Sequence, residues 1–241
     1  MSQDVLLTEN RGAVRLLTFH RPDKMNAFDQ ALWCGLADAL EAATDDPTVH
    51  CVVITGSGRA FTAGQDLGLL TGDDRLPDGE IPGFQRLMPV LEAFEKPLVA
   101  GVNGLGVGFG LTVLLHCDLA LIGESARLKV PFMSLGVTTE ASSSLLLPSL
   151  VGSQRAAEII FTEPWIDAHQ AVADGLALRV CPDDTLLEET MALADSIAQH
   201  ALGPLVETKR LLLAGRLEAT TQARRREDAA FERLVAAMIS G

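Results

Sequence analysis

Two small-residue segments hold the clearest chemical potential in this chain: Arg59-Ala60-Phe61-Thr62-Ala63-Gly64-Gln65-Asp66-Leu67 and Val102-Asn103-Gly104-Leu105-Gly106-Val107-Gly108-Phe109-Gly110. Each follows an apolar, strand-like run, Cys51 to Thr55 and Leu98 to Val102. Each is therefore expected at the end of a strand, where a small-residue turn leaves backbone N–H groups free. Two such turns side by side aim two N–H donors at one oxygen. That is an oxyanion hole, often the largest single contribution in enolate and acyl chemistry.

Other chemistries find little support. His20, His50, His116, His169 and His200 are scattered without metal-ligand spacing, so no metal site is expected. His116 and Cys117 are adjacent, but neighbours on a helix point apart, and packing is the simpler reading. No GxSxG nucleophile turn occurs. The run Gly104 to Gly110 does not satisfy G-x-G-x-x-G, because Phe109 stands where the third glycine belongs, and no Walker A motif is present. A dinucleotide-binding oxidoreductase is thereby disfavoured. Trp33 and Trp165 read as packing residues, and Cys34, Cys51, Cys117 and Cys181 as free thiols with no CxxC pair.

Composition narrows the partners. The chain has 241 residues, 48% hydrophobic and 21% charged, enough for a substantial core. Its net charge of −13 argues against nucleic acid and against anionic membranes. An anionic small ligand is still compatible, since local N–H groups and a few bases can bind one. The N-terminus lacks a basic region followed by an apolar stretch, no run has bilayer length, and Ile239-Ser240-Gly241 is not a peroxisomal address. A reducing, cytoplasmic setting is expected.

The elements that must position these turns alternate. Val14 to Phe19 reads as a strand, broken by Arg21-Pro22-Asp23; Phe28 to Thr44 as a helix with Leu32, Leu36, Leu40 and Ala43 on one face; Val49 to Thr55 as a buried strand. This is a β–α–β crossover. Thr71 to Gly83 is rich in Gly, Pro and Asp and predicts a flap over a site. Phe84 to Phe94 and Leu111 to His116 read as helices, Leu119 to Ile122 as a strand, Gly152 to Phe161 and Ala168 to Asp174 as helices, and Leu176 to Val180 as a last strand. From Leu186 onward the pattern is helical. Phe231, Leu234, Val235, Met238 and Ile239 make an apolar stripe opposite Arg224, Arg225, Arg226 and Glu232, suited equally to packing on its own core or on a neighbouring subunit.

The pattern Arg21-Pro22-Asp23-Lys24-Met25-Asn26-Ala27, then Ala60 to Leu67, then Val102-Asn103-Gly104, then Cys117-Asp118-Leu119-Ala120 resembles the enoyl-CoA hydratase/isomerase (crotonase) superfamily in order and spacing. The resemblance implies an α/β chain built as a crotonase-like spiral of β–β–α units with a helical C-terminal region. It divides the chain into a spiral acyl-CoA-binding core, residues 1–190, and a helical oligomerisation region, residues 191–241. It implies a homotrimer or hexamer and an acyl-CoA thioester substrate. Coenzyme A is then part of the substrate, and no separate cofactor is expected. Gln65 and Phe109 would supply the two N–H groups for the thioester oxygen. Lys24, Met25, Ala27, Ala63, Gly64, Asp66, Leu67 and Gly108 would contact the ligand. Two departures stand out: Phe109 occupies a position that is often Gly, and Gly68 one that is often Lys.

Within the resemblance, hydratases use two glutamates, which would fall at Thr112 and Phe132; neither side chain is a base at neutral pH. The segment Pro131 to Ser144 has one carboxylate, Glu140, and is similar to the corresponding region of peroxisomal-type Δ3,Δ2-enoyl-CoA isomerases, where one glutamate is the base. A 1,3-proton shift from a 3-enoyl-CoA to a 2-enoyl-CoA needs only one. Taken alone, Glu140 reads as a surface acid or a helix N-terminal carboxylate, and Asp66 as a helix cap. Another enolate reaction of the superfamily, or a catalytically silent acyl-CoA-binding subunit, are the alternatives.

Overall fold

A computed structural model describes residues 4–66, 68 and 80–240. Leu67, residues 71–79 of the expected flap, and the side chains of Met238 and Ile239 lie outside the described residues.

The chain opens with β1 (Leu6–Arg11) antiparallel to β2 (Val14–Phe19), then a 3-10 turn at Pro22–Lys24. Helix α1 (Gln30–Asp45) begins at Asp29, whose side chain accepts from Leu32 N–H at 2.8 Å. Three pairs of strands follow: β3 (Cys51–Gly56) with β4 (Ala60–Thr62), β5 (Leu98–Val102) with β6 (Leu105–Val107), and β7 (Leu119–Gly123) with β8 (Arg127–Lys129). Helix α2 (Gly83–Glu92) precedes β5, and α3 (Phe109–Thr112) follows β6. Each pair gives its first strand to one sheet, of order β1-β2-β3-β5-β7-β10 with β10 at Arg179–Cys181, and its second to another, of order β4-β6-β8-β9 with β9 at Ile166–Asp167. Repetition of that step makes the spiral. Strands β2, β3, β5, β7 and β10 run parallel, as do β4, β6 and β8.

Parallel strands covered on both faces read as continuous apolar runs. Here successive residues alternate between two cores. Leu17, Phe19, Val52, Ile54, Leu98 and Ala100 join the main core with α1 and α2. Val14, Leu16, Cys51, Val53 and Val99 face Met191, Ala194 and Ala198 of a later helix. After β8 come α4 (Ser143–Val151), α5 (Ser153–Thr162), β9 (Ile166–Asp167), α6 (Ala168–Ala173), β10 (Arg179–Cys181), α7 (Leu186–Ala198), α8 (Leu202–Ala214) and α9 (Leu217–Ser240). The expected boundary between residues 190 and 191 falls inside α7, which packs on β2, β3, β5 and β7.

Several local expectations change. The glycine turns do not follow Thr55 and Val102 directly; β4 and β6 intervene, and the turns sit at the ends of those shorter strands. The strand expected over Leu176 to Val180 is displaced to Arg179–Cys181, because Gly175, at φ +80, ends α6 and the Leu176 and Ala177 N–H groups return to the Ala171 carbonyl. Arg224 does not lie outward with Arg225: its side chain is largely covered and pairs with Glu92 at 2.9 Å, since a carboxylate only 4% exposed needs a cation. Among the described residues all four cysteines are free.

Candidate active site

The Arg21-to-Ala27 segment builds one wall. Met25 and Asn26 are both left-handed, at φ 50 and 55, and this reverses the chain. Asn26 is fully buried; its Nδ2 donates to Ala60 O at 2.7 Å and to Ser57 O at 2.9 Å. Met25 to Phe28 then lies along Ala63 to Asp66: Ala63 N–H donates to Met25 O at 2.9 Å, Phe28 N–H to Gly64 O at 2.7 Å and Asp66 N–H to Phe28 O at 2.9 Å. Arg21 clamps the two segments, donating to Ala27 O and to Asp66 at 3.0 Å and pairing with Asp29 at 3.2 Å. Burial raises the Asp66 pKa, but the Gly68 N–H and Arg21 outweigh it and hold the carboxyl below its usual range. Lys24 is exposed at the end of the 3-10 turn.

The two glycine turns abut. Gly64 sits at φ +82, and a Cβ there would meet Val107 O at 2.6 Å and Phe109 N at 3.4 Å. Only glycine permits that approach. Gly108, at φ +55, precedes the first turn of α3, whose Phe109 N–H is a helix-start donor. The Phe28–Gln65 bridge uses the Gly64 carbonyl and the Asp66 N–H and leaves the Gln65 N–H out. Among the described residues neither the Gln65 nor the Phe109 N–H has an acceptor. The Phe109 side chain, which replaces the more usual glycine, is buried, with ring centroids 4.6 Å from Trp33 and 5.1 Å from Phe28. Its bulk goes into the core and its backbone stays at the turn.

Glu140 comes to the same place. Its Oε1 is 3.9 Å from where a Cβ on Gly108 would stand. Part of the residue keeps contact with solvent, but the carboxyl itself is enclosed. Burial, then the negative charge of Glu227, raise its pKa to about 7, against a smaller downward pull from the Thr112 hydroxyl. Thr112 Oγ1 is buried, and apart from this proximity to Glu140 it has no hydrogen-bond partner among the described residues. Phe132, the other position where a hydratase acid is expected, is a core residue 4% exposed.

Most of the residues expected at the site therefore converge: Met25, Ala27, Ala63, Gly64, Gln65 and Asp66 on one side, Gly108 and Phe109 beside them, Glu140 at the edge. The unanticipated ones are Arg21, Asn26, Glu227 and His116. Arg21 reads as part of a chain break, and Asn26 only as part of the family pattern. His116 is buried, its pKa lowered to about 4 by burial, and its Nε2 lies 2.8 Å from Ala141 O; a neutral ring donates there. Cys117 Sγ instead faces Val113 O at 3.4 Å, so the adjacent pair does point apart. Glu227 lies in a charge-rich stretch, and the structure buries it with Thr220 on the inward face of α9. Among the described residues no cluster of His, Cys, Asp and Glu is suited to a metal, and no helix is long and apolar enough to cross a membrane.

Comparison with known proteins agrees with this geometry. Residues 9–238 match the family model for enoyl-CoA hydratase/isomerase. The chain is 36% identical over 210 residues to a 2,3-dehydroadipyl-CoA hydratase of Escherichia coli K12, covering 86% of this chain and 81% of that one. It is 30% identical over 203 residues to a 1,2-epoxyphenylacetyl-CoA isomerase of the same organism, covering 81% and 76%. An enoyl-CoA hydratase/isomerase crystal structure from Pseudoalteromonas atlantica T6c superposes with a TM-score of 0.93 at 34% identity, over 96% of this chain and 92% of that one. With abutting glycine turns at the ends of β4 and β6, on a spiral of β–β–α units, the chain belongs to the enoyl-CoA hydratase/isomerase (crotonase) family.

Proposed function

We propose that the chain moves the double bond of a 3-enoyl-CoA to give a 2-enoyl-CoA. The family acts on acyl-CoA thioesters; the finer assignment rests on Glu140. The Glu140 carboxyl, with a pKa of about 7, lies at the face of Gly108 next to two N–H groups that have no acceptor among the described residues. In the proposed reaction the thioester oxygen accepts from the Gln65 and Phe109 N–H groups. Glu140 takes a proton from C2, the dienolate charge resides on the thioester oxygen, and the protonated Glu140 returns the proton at C4. Lys24, Met25, Ala27, Ala63, Gly64, Asp66 and Gly108 line the path of the coenzyme A portion, which is part of the substrate. The working form is a homotrimer or hexamer in the cytoplasm.

The names of several relatives, hydratases among them, favour hydration as a second reading. Against it, Thr112 and Phe132 supply no second acid–base group. One assay separates the readings: incubation with a panel of 3-enoyl- and 2-enoyl-CoA thioesters, with products read by mass spectrometry and NMR. Isomerisation keeps the mass and moves the olefinic protons; hydration adds water. Binding without turnover of any thioester would assign a silent acyl-CoA-binding subunit.

A further inference from the structure

The turn that carries Glu140 is strained, and the end of the chain holds it. Ala141 and Ser142 are consecutive left-handed residues, at φ 55 and 61, and neither is glycine. L residues adopt this conformation reluctantly, and two in succession persist only where surrounding contacts impose them. The strongest contacts come from α9. Glu227 Oε2 accepts from Ser142 N–H at 2.7 Å, and its Oε1 accepts from Ser144 N–H at 2.7 Å. Ser142 Oγ lies 3.0 Å from both Glu92 Oε1 and Thr220 O. Glu92 is held in turn by Arg224 at 2.9 Å and Thr221 at 3.2 Å. His116 fixes the Ala141 carbonyl from the other side.

We propose that Glu227 is a positioning residue for the base: by gripping the Ser142 and Ser144 amides it holds the left-handed turn that presents Glu140 to Gly108, and so makes the C-terminal helix part of the active site. This rests on the reading of Glu140 as the base. The same carboxylate acts through space. Its negative charge faces Glu140 and opposes ionisation there. The other ionisable groups around this junction are Glu92 on α2, Arg224 and Asp228 on α9, and His116, whose ring also senses Arg216 and Lys209. Arg224 is committed to Glu92 and Asp228, which leaves the Glu227 charge on Glu140 uncancelled by a direct ion pair among the described residues.

The test uses the full-length chain with Glu227→Gln and Glu227→Asp. The Glu140 carboxyl is titrated by 13C NMR of side-chain-labelled glutamate, its signal assigned by loss in Glu140→Gln, and kcat/KM for a 3-enoyl-CoA is followed against pH. Glu227→Gln removes the charge and one of the two acceptors. The Glu140 midpoint, and the acid limb of the rate profile with it, should move down by about one pH unit. At alkaline pH, where Glu140 is ionised in both proteins, kcat should fall roughly 10- to 100-fold while KM changes little. Glu227→Asp keeps the charge but is too short for both amides. It should hold the midpoint near that of the wild type and still lose kcat, and it carries the test if the Gln variant does not fold. An unmoved midpoint with wild-type kcat in Glu227→Gln, or wild-type kcat in Glu227→Asp, would overturn the proposal. The NMR arm needs no substrate. A wild type that isomerises nothing, but whose Glu140 midpoint drops in Glu227→Gln, removes the isomerase reading and keeps the placement of Glu227 against the Glu140 turn.

Discussion

A carboxylate in water is too weak a base to compete for a C–H proton at neutral pH; in the proposed reaction Glu140 overcomes this by burial beside a second negative charge. Because its folded pKa is raised, the folded state binds more protons than the unfolded chain between about 4.5 and 7. Stability therefore falls as pH rises through that window and stays lowered above it. Glu140→Gln should abolish isomerisation, by roughly 10²–10⁴-fold or more. The same change should stabilise the fold at pH 8, by on the order of 2 kcal/mol, and have little effect at pH 4. Melting curves at the two pH values check this; equal effects at both would contradict the sign. The donors are tested separately. Gln65→Ala keeps its backbone N–H and should be mild, whereas Gln65→Pro removes it and should cost roughly 10²–10³-fold in kcat. At this level much of the site was legible, since Gln65, Phe109 and Glu140 lie in recognisable segments. Glu227 was not, because its role arises from contact with Ser142 and Ser144 more than eighty positions away in sequence.

The elements follow the same division. Strands buried on both faces, such as Val52-Val53-Ile54, declare themselves by apolar runs, and α1 by the spacing of Leu32, Leu36 and Leu40. The second sheet is made of segments such as Ala60–Thr62 and Leu105–Val107, too short for any period to register. Yet β4 and β6 set the glycine turns against each other. Their placement relies on Asn26, which no periodicity reveals. Its amide bridges the Ser57 and Ala60 carbonyls, and its left-handed backbone suits Asn better than most residues. Asn26→Ala leaves those buried carbonyls short of a donor and adds strain at φ 55. It should lower stability by about 2–4 kcal/mol, corresponding to a fall in Tm of roughly 5–15 °C. Asn26→Gly, which relieves the strain but not the lost bonds, should recover part of it. A Tm within a degree or two of wild type for Asn26→Ala would show that the loop is held by other means.

For the molecule as a whole, the informative feature is the polarity of the inward face of α9. The sequence suggested a terminal helix whose apolar stripe packs on its own core or on a neighbouring subunit, yet its buried positions include Thr220, Ala223 and Glu227, with Arg224 close behind. An apolar stripe tolerates sliding; a set of directed bonds to Glu92, Ser142 and Ser144 does not. Exposed apolar surface includes Leu234 on α9 itself and, beyond it, Leu150, Leu178 and Leu212, around a recess of about 780 Å³ also walled by Leu145 and Leu176. A surface of that kind suits association of copies, and light scattering should give a trimer or hexamer for the wild type. Deleting residues 217–241 then has a definite consequence within each subunit. Glu92, buried at 4% exposure, loses both Arg224 and Thr221, while the Ser142 and Ser144 amides lose Glu227. Hydrogen bonds to a charged group contribute about 1.5–3 kcal/mol each. The truncated chain should therefore melt at least 10 °C lower, on the scale of a few degrees per kcal/mol for a chain of this size. It should also lose the proposed isomerase activity even where it remains folded, because the turn that carries Glu140 is released, and its scattering should report smaller or aggregated species. A truncated chain with wild-type Tm and turnover would mean that the C-terminal helix is an appendage, and that the geometry of Glu140 is set within residues 4–216.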